Sequence, residues 1–425
     1  MITPKENAGI ALTNPGGSVS RRKSFVAAAL CAAVLTPVGA APAQACSTSL
    51  DAQALTGFEH GRRGFHVSTV MASGTGVSYP SDARTGAYAL RVSAAKSNGY
   101  GWFMWSRVPA PYAASGRFAL RLDQLPSSNV TQLFGMDTYE SPRSTLRLGY
   151  DASSKRLKLT LRSAATGSTS VVYGNSTVSA GQWYVIDVRH DASTAWQSAT
   201  WSVDGASQGN LLVRSNRAEP LYNVYLGTNQ YDSFTASYDD LVLTGNAADY
   251  PIGDGHVRAL RPNGSALGSG TLLNDDGTKV DSTSWQRLDD ASALSTADFI
   301  KQTVASLSAH ALIDFEDTDD TCIRAVRAHT WTHALAKGSN NAKLFVADGA
   351  LSSLIKDGDW GGTGSRDYSG AVVPAGVAWT PEAVNGLTGR FGYSTDVSPA
   401  PLLDGVLLEY EAETPPPAEE TQPAA

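Results

Sequence analysis

Cysteine is scarce in this sequence of 425 residues, which contains only Cys31, Cys46 and Cys322. Three thiols are too few for a cysteine-based zinc site or for a fold stabilised by many disulfide bonds. No stretch approaches the roughly 20 consecutive apolar residues of a membrane-spanning helix, so we expect a chain that is not membrane-spanning. The sequence also lacks a Gly-x-Ser-x-Gly elbow, a phosphate-binding loop and a paired-cysteine motif, and these absences argue against an enzyme.

Positively charged residues are also fewer than negatively charged ones. The chain has 33 lysines and arginines against 40 aspartates and glutamates, a formal net charge of −7. The first 45 residues carry a net +3 of that total, so the chain without them would carry −10. An acidic chain of this kind is a poor candidate for nucleic-acid binding, which usually needs a basic face.

The positive charges at the start of the chain have a recognisable arrangement. Arg21, Arg22 and Lys23 precede a short apolar run that extends to Val38, and Ala43-Gln44-Ala45 follows. Positive cluster, apolar core and small-residue cleavage site, in that order, predict a secretory signal peptide at residues 1–45. The paired arginines resemble those of twin-arginine signals. We therefore expect an extracellular protein that is cleaved between Ala45 and Cys46.

Two cysteines, Cys46 and Cys322, remain after this cleavage. In an oxidising compartment they could pair and tie the new N-terminus to the second half of the chain. Lipidation of Cys46 and two free thiols are the alternatives that the sequence leaves open.

Residues 55–250 show a persistent alternation of apolar and polar side chains. A period of two with one apolar face predicts half-buried strands of a β-sandwich. Clear examples are Leu90 and Val92, Phe118 to Leu122, and Leu157 to Leu161. Turn residues separate these runs, as at Asp204-Gly205.

The remainder of the chain predicts a second β-rich domain. Residues 46–54 form a short N-terminal segment, residues 251–270 suggest a linker or long loop, and residues 271–411 carry further strands with one short helix at about 296–307. The Pro-rich acidic tail, residues 412–425, is expected to be disordered. The predicted fold class is all-β, with two β-sandwich (jelly-roll) domains after the signal peptide.

Four motifs in the first domain resemble the laminin-G-like, concanavalin A-like jelly rolls. They are Gly57-Phe58-Glu59, Gly181-Gln-Trp183, Trp201-Ser-Val-Asp204-Gly205 and Tyr238-Asp239-Asp240. The resemblance implies a domain that binds glycans or proteins, often with a structural calcium ion, and whose first and last strands lie side by side. Glu59, Asp239 and Asp240 would then supply hard oxygen ligands for calcium.

The second domain resembles the C-terminal parts of phage structural, tail-associated proteins. The segments 250–257 and 379–386 carry this resemblance, together with 392–399. Virion proteins made in the cytoplasm carry no signal peptide, so we expect a cellular protein that uses such a module for surface attachment or assembly.

Aromatic residues are the best candidates for ligand binding. Trp102 and Trp105 lie three positions apart, so on a strand they face opposite sides of the sheet. One is expected in the core, and the other could be a platform for a sugar ring. In the second domain Trp360 lies in a Gly-rich loop, and such loops often carry binding function.

Catalytic and metal sites are weakly indicated. The carboxylate spacing of jelly-roll glycanases is absent, and Glu409, Glu411 and Glu413 suggest a solvated edge. His329 and His333 lie on a predicted strand, about 13 Å apart, which is too far for one ion. They suggest a surface stripe.

These patterns together predict a secreted, non-catalytic protein that binds a glycan or another cell-surface ligand. One alternative is an extracellular structural subunit that assembles with copies of itself into a homo-oligomer. The other is a glycoside hydrolase or polysaccharide lyase whose site is not recognisable from the sequence.

The signal peptide yields a direct test. N-terminal sequencing of the secreted protein is expected to begin at Cys46, and unreduced peptide mapping to recover a linked peptide that contains Cys46 and Cys322. An N-terminus upstream of Arg21 would contradict the cleavage, and a lipid-modified Cys46 would contradict the pairing.

Overall fold

The fold is described from a computed structural model. The described residues are 49–50, 52–59, 76–95, 101–106, 112–139, 141–228, 232–266, 272–289, 299–302, 311–334, 342–348, 351–356, 364–372, 379–393 and 402–413. The predicted signal peptide, Ala45, Cys46, Trp360 and the tail beyond residue 413 lie outside these ranges. Within them, no helix has the length and apolar character to span a bilayer.

Twenty-five strands account for most of the described chain, and they confirm the all-β prediction. The strands that precede residue 250 are β1 Ala52–Thr56, β2 Gly76–Ser78, β3 Leu90–Ala94, β4 Gly101–Ser106, β5 Ala113–Leu122, β6 Val130–Thr138, β7 Thr145–Asp151, β8 Arg156–Arg162, β9 Thr169–Thr177, β10 Trp183–Asp191, β11 Trp196–Val203, β12 Ala206–Arg214, β13 Leu221–Thr228 and β14 Phe234–Thr244. Those that follow are β15 Gly255–Leu260, β16 Pro262–Ala266, β17 Leu272–Asn274, β18 Ile300–Gln302, β19 Ala311–Phe315, β20 Ile323–Ala334, β21 Ala342–Asp348, β22 Leu351–Lys356, β23 Gly364–Val372, β24 Thr388–Tyr393 and β25 Leu402–Glu413.

The first sandwich consists of two antiparallel sheets formed by β1 to β14. The eight-stranded sheet has the order β12-β11-β10-β5-β14-β3-β2, with β1 paired to β14, and the six-stranded sheet has the order β4-β13-β6-β7-β8-β9. Between them Phe118 stacks on Phe134 with ring centroids 4.6 Å apart, and Trp201 and Tyr238 are fully buried. The predicted apolar faces, from Leu90 to Leu161, line this core.

The second sandwich is formed by β15 to β25. One sheet has the order β17-β18-β25-β20-β23, with β15 paired to β25, and the other has the order β16-β19-β24-β21-β22. Val326, Leu408 and Tyr410 from the first of these sheets and Ile313 and Phe315 from the second share one core.

Two expectations for this region were wrong. The expected linker at 251–270 contains β15 and β16, because β15 pairs along its whole length with β25, from Gly255 opposite Glu413 to Leu260 opposite Leu408. The expected helix at 296–307 contains strand β18 at Ile300–Gln302, and the one α-helix in the described residues, α1, is Pro381–Asn385. Strand pairing over long sequence separations overrides local composition here.

A buried carboxylate joins the two sandwiches. Glu411 Oε1, on β25, accepts a hydrogen bond from Arg117 Nη1 of β5 at 2.6 Å and also contacts Arg324 Nη2 of β20. Its Oε2 accepts a hydrogen bond from Arg324 Nε at 2.8 Å. All three side chains are buried. Burial acts to raise the pKa of Glu411, but the charges of Arg117 and Arg324 outweigh it and hold that pKa below its ordinary value.

A second buried group extends this contact toward the N-terminal segment. Glu409 accepts hydrogen bonds from the Thr56 hydroxyl at 3.2 Å and the Gly57 amide at 3.1 Å, and His329 Nε2 lies 3.0 Å from its other oxygen. Arg327 Nη1 donates to the carbonyl of Ala52 at 2.6 Å. We call Arg117, Arg324, Arg327, His329, Glu409 and Glu411 the junction cluster.

The junction cluster corrects the predicted solvated edge. Glu409 and Glu411 are fully buried, since β25 is an interior strand whose alternate residues enter the core on one side and face the first sandwich on the other. His329 and Trp331 are buried as well, so the predicted surface stripe is wrong, although the predicted strand is present. The side chain of His333 lies outside the described residues.

Replacement of Glu411 tests the junction. Glu411→Gln removes the carboxylate to which two buried arginines donate hydrogen bonds, which should destabilise the protein by about 3–5 kcal/mol. Asp254→Asn is the matched control, because Asp254 also pairs with an arginine, Arg84, but its side chain is 55% exposed. An exposed pair contributes about 0–1 kcal/mol. Urea denaturation measures both, and equal costs for the two variants would contradict the role of Glu411.

Candidate functional site

The outer face of the six-stranded sheet carries a compact group of polar side chains. In the pairing register Asn223 lies opposite Asp137, and Tyr225 lies opposite Gly135, which in turn lies opposite Arg147. The residues between them, Val224 and Met136 among others, belong to the core. Because side chains alternate along a strand, Asp137, Arg147, Asn223 and Tyr225 share the face that points away from the core. Asp137, Asn223 and Tyr225 are nevertheless buried on that face, and Arg147 is largely covered. We call these four residues the polar face cluster.

Arg147 lies across this face. Its Nη2 is 2.5 Å from Asp137 Oδ1, and its Nη1 donates to the carbonyls of Leu146 at 2.9 Å and Met136 at 3.2 Å. A Cβ at position 135 would come within 2.8 Å of Arg147 Nη1, so Gly135 leaves the space that the guanidinium occupies. The guanidinium carbon is 5.6 Å from the Tyr225 ring centroid, within cation–π range.

Tyr225 connects Asp137 to Asn223. Asn223 Nδ2 donates to Tyr225 Oη at 2.9 Å. Burial, followed by the charge of Asp137 and a hydrogen bond to it, raises the pKa of Tyr225 to about 12. The phenol is therefore protonated at neutral pH and can serve only as a hydrogen-bonding group. Asn223 Oδ1 is buried and has no hydrogen-bond partner in the described part of the chain.

Exposed aromatic rings flank the polar face cluster. Tyr139, which directly follows β6, is 61% exposed, and its ring meets that of Tyr222 edge-on at 4.9 Å between centroids. Farther along the sheet, Tyr173 of β9 pairs with Lys158 and is 46% exposed. The face thus combines fixed polar groups with aromatic surface at both ends.

The predicted tryptophans lie near this face in the backbone register. On β4, Trp102 pairs with Gly227 and Trp105 pairs with the core residue Val224. Met104, between them, pairs with Tyr225. The side chains of β4, and the whole of Trp360, lie outside the described residues.

The predicted disulfide is described at one end only. Cys322 is disulfide-bonded. Two residues further along, the carbonyl of Arg324 accepts a hydrogen bond from the amide of Leu50 at 2.9 Å, so the described start of the chain lies beside this strand. Cys46 lies outside the described residues, and its pairing with Cys322 stays a prediction.

The predicted calcium ligands lie together at the end of the first sandwich. As expected, the first and last strands pair, with Thr56 opposite Leu241. Glu59, Asp239 and Asp240 are all buried. Both carboxylate oxygens of Asp240 already have protein partners, because the carboxylate accepts hydrogen bonds from Arg84 Nη1 at 2.8 Å, Thr85 Oγ1 at 2.6 Å and the Val257 amide at 2.7 Å.

The carboxylates of Asp239 and Glu59 accept fewer side-chain hydrogen bonds than that of Asp240. Asp239 accepts backbone hydrogen bonds from Arg84 at 2.8 Å and Thr85 at 3.1 Å, but burial and the neighbouring charge of Asp240 raise its pKa well above the ordinary value. Glu59 Oε2 accepts from the Ala87 amide at 2.6 Å, and burial is the main cause that raises the pKa of Glu59 to about 8. Its Oε1 has no partner in the described residues, and a Cβ at Gly86 would lie 1.7 Å from that atom.

These contacts decide how well the three residues fit a cation. In the described part of the chain, no group of three or more His, Cys, Asp or Glu side chains has the arrangement of a metal site. Asp240 is committed to Arg84, Thr85 and the Val257 amide, so only Glu59 and Asp239 of the three predicted ligands have carboxylates with remaining capacity, and the calcium site stays a prediction.

The polar face cluster was not predicted from the sequence. Asp137, Arg147, Asn223 and Tyr225 occupy the polar positions of alternating strands, where any solvated residue would show the same pattern. The one available signal is Gly135, a glycine inside a strand, which often marks a close approach by another group.

Comparisons with known proteins show limited similarity. No protein-family model and no curated protein match the chain, so the resemblances to laminin-G-like and phage structural proteins find no family-level support. Among solved structures, the cellulose-induced protein Cip1 is 16% identical over 45% of this chain and 97% of its own, with a TM-score of 0.36. Domain 4 of AbnA, a GH43 extracellular arabinanase from Geobacillus stearothermophilus, is 17% identical over 40% of this chain and 75% of its own, with a TM-score of 0.28.

The sialidase of Trypanosoma rangeli is 16% identical over 37% of this chain, with a TM-score of 0.29, and the match spans 25% of the sialidase. At these identities and TM-scores, none of the three proteins assigns a ligand or an activity to the present chain.

The raised pKa of Glu59 predicts a pH dependence. An unfolded glutamate ionises near pH 4.5, whereas Glu59 in the folded protein ionises near pH 8. Without a divalent cation, the stability that this group contributes is complete below pH 4.5 and is lost as the pH rises to 8. Thermal denaturation in EDTA should therefore show a melting temperature that falls over this range, and Glu59→Gln should remove much of the fall. The same slope in both proteins would contradict the assignment to Glu59.

Proposed function

We propose that this chain is a secreted, non-catalytic carbohydrate-binding protein whose glycan-binding surface is the outer face of the six-stranded sheet. The observation that carries the proposal is the chain of contacts from Asn223 through Tyr225 and Asp137 to Arg147. It holds polar groups in fixed positions on a face that does not contribute to the core. Binding sites depend on such preorganised groups, because little entropy is then lost when a ligand arrives.

The chemistry of the cluster suits sugar hydroxyl groups. A hydroxyl both donates and accepts, and the cluster combines amide and guanidinium donors with the acceptor Asn223 Oδ1, which is buried and has no hydrogen-bond partner in the described residues. Tyr225 keeps its proton at neutral pH and Asp137 is held in an ion pair with Arg147, so neither is arranged as a catalytic base. These features support binding rather than turnover.

Trp102 is our proposed stacking residue for a sugar ring. It lies on the strand next to Tyr225, two positions from the residue that pairs with Tyr225. An aromatic ring beside a planar polar group matches a pyranose, which has an apolar face and a polar edge.

A structural calcium ion at Glu59 and Asp239 forms a further part of this proposal. Calcium would supply positive charge to two buried carboxylates whose pKa values burial raises. Asp239 already holds the backbone of Arg84 and Thr85, and Glu59 holds that of Ala87, so the ion would stabilise the loop between them. Above pH 7, calcium should raise the melting temperature of the wild type more than that of Glu59→Gln.

The glycan-binding proposal is tested on the mature protein with a glycan array, followed by calorimetry with the best ligand. Tyr225→Phe removes one hydroxyl and keeps the ring, so affinity should fall about three- to tenfold, as expected for one hydrogen bond. Trp102→Ala should weaken binding at least as much. Tyr112→Phe is the matched control, because Tyr112 is 45% exposed and adjoins β5 in the other sheet, and it should bind as the wild type does.

Two results would remove this proposal. One is a silent array both with and without calcium. The other is equal affinity of the wild type, Tyr225→Phe and Trp102→Ala for every glycan that binds. Concentration-dependent assembly in light scattering, combined with a silent array, would instead favour the structural-subunit alternative.

A further inference from the structure

A pocket opens at one edge of the first sandwich, where the outermost strands of its two sheets meet. Each of these strands has an irregular register. On β9, Tyr173 pairs with Lys158 and Thr177 pairs with Arg156, so extra residues lie between them. On β12 the register shifts beside Gln208. Such bulges commonly occur at binding sites, because they redirect side chains and interrupt pairing.

The two irregular stretches face each other across the edge. The Asn175 amide donates to Gln208 Oε1 at 2.6 Å, and Asn175 Nδ2 donates to the Ser207 carbonyl at 3.2 Å. These contacts bridge the two sheets. Beside them lies a cavity of about 220 Å³, which we call the edge pocket.

The edge pocket has an apolar floor and a polar mouth. Leu157, Val178, Val203 and the ring of Tyr184 supply apolar lining, Gln208 is a buried polar lining residue, and Ser176, Thr177 and Asp204 line the mouth. Ser176, Thr177 and Asp204 are exposed. The pocket is therefore open to a ligand with one apolar and one polar side.

Hydrogen-bonding capacity remains at the edge pocket. Tyr184 Oη accepts a bond from the Ser179 amide at 2.7 Å, which uses a lone pair and leaves the phenolic proton available. Asp204 Oδ1 accepts from the Val185 amide at 2.8 Å. Gln208, in contrast, uses its amide group within the protein, since Nε2 donates to the Ala206 carbonyl at 2.6 Å. The groups open to a ligand are thus Tyr184, the two hydroxyls and the carboxylate at the mouth.

The dimensions and charge restrict the ligand. The cavity is smaller than the roughly 300–1,000 Å³ of sites for drug-sized ligands, so it suits one ring and not a chain. A carboxylate at the mouth disfavours an anionic ligand through like-charge repulsion. The pocket lies at β9, the edge strand of the sheet that carries the proposed glycan-binding face: half-exposed Tyr173 faces outward, and the next residue, Gly174, faces the pocket from the other side.

We propose that the edge pocket binds a single neutral pyranose, the end residue of a glycan that lies across the six-stranded sheet. This inference rests on the proposed function and adds to it the recognition of a chain end. The protein would then prefer glycans with a neutral terminal sugar over those that end in a uronic acid.

Gly174→Leu tests the pocket by filling it. Gly174 has no positive φ, and a Cβ there would be in ordinary contact with Trp201 Cη2 and the Leu157 carbonyl, both at 3.4 Å, so the backbone tolerates a side chain. Val171→Leu is the matched control, since Val171 lies on the same strand and is 46% exposed. Saturation-transfer NMR with methyl glycosides of neutral sugars and of uronic acids measures the pocket directly, and calorimetry with an oligosaccharide measures the whole site.

The wild type and Val171→Leu should bind a neutral methyl glycoside, and Gly174→Leu should lose at least about tenfold in affinity for it. Tyr184→Phe, which removes the phenolic donor without filling the pocket, should also weaken binding and replaces Gly174→Leu if that variant does not fold. Unchanged monosaccharide binding in both variants would overturn the inference, as would a preference for uronic acids. Oligosaccharide binding that Tyr225→Phe weakens and Gly174→Leu does not would overturn the pocket and leave the proposed function standing.

Discussion

One buried carboxylate, shared by two arginines, links the two sandwiches and makes the stability of each depend on the other. Glu411 accepts hydrogen bonds from Arg117 of the first sandwich and Arg324 of the second, and none of the three side chains has appreciable access to water. Removing such charges from water is costly, and the cost is offset only while every partner is present. The non-core face of the eight-stranded sheet around Arg117 is therefore committed to this contact.

Two other groups of buried polar residues differ in their charge balance. In the polar face cluster, Asp137 is paired with Arg147 and connected to Tyr225, so the group is neutral and held in place. At the end of the sandwich, Glu59 and Asp239 are buried with raised pKa values, because burial outweighs the favourable contacts that each of them makes. Charge is thus balanced within the first group, whereas the second group favours protonation of its carboxylates.

The strands and the first core were predictable because alternation is a local signal. Phe118, Leu120 and Leu122 show it within five residues, and all three are buried. The junction was not predictable, since Arg117 and Glu411 are 294 residues apart and no local pattern connects them. For the same reason β15, whose partner is β25, resembled a linker. The calcium candidates illustrate an intermediate case: the strands that carry them pair as expected, but the commitment of Asp240 to Arg84 depends on a loop whose position the sequence does not reveal.

The docking of the N-terminal segment has a consequence for folding. Thr56 donates to Glu409 across 353 residues, and Arg327 donates to Ala52 across 275. Contacts between such distant parts of a chain form slowly, because a long loop must close before they contribute. The first strand to be synthesised thus meets its buried carboxylate only after the last strand has been made. A chain that ends before β25 would lack the carboxylate that Arg117 and Arg324 share, so the two sandwiches should be expressed as one unit.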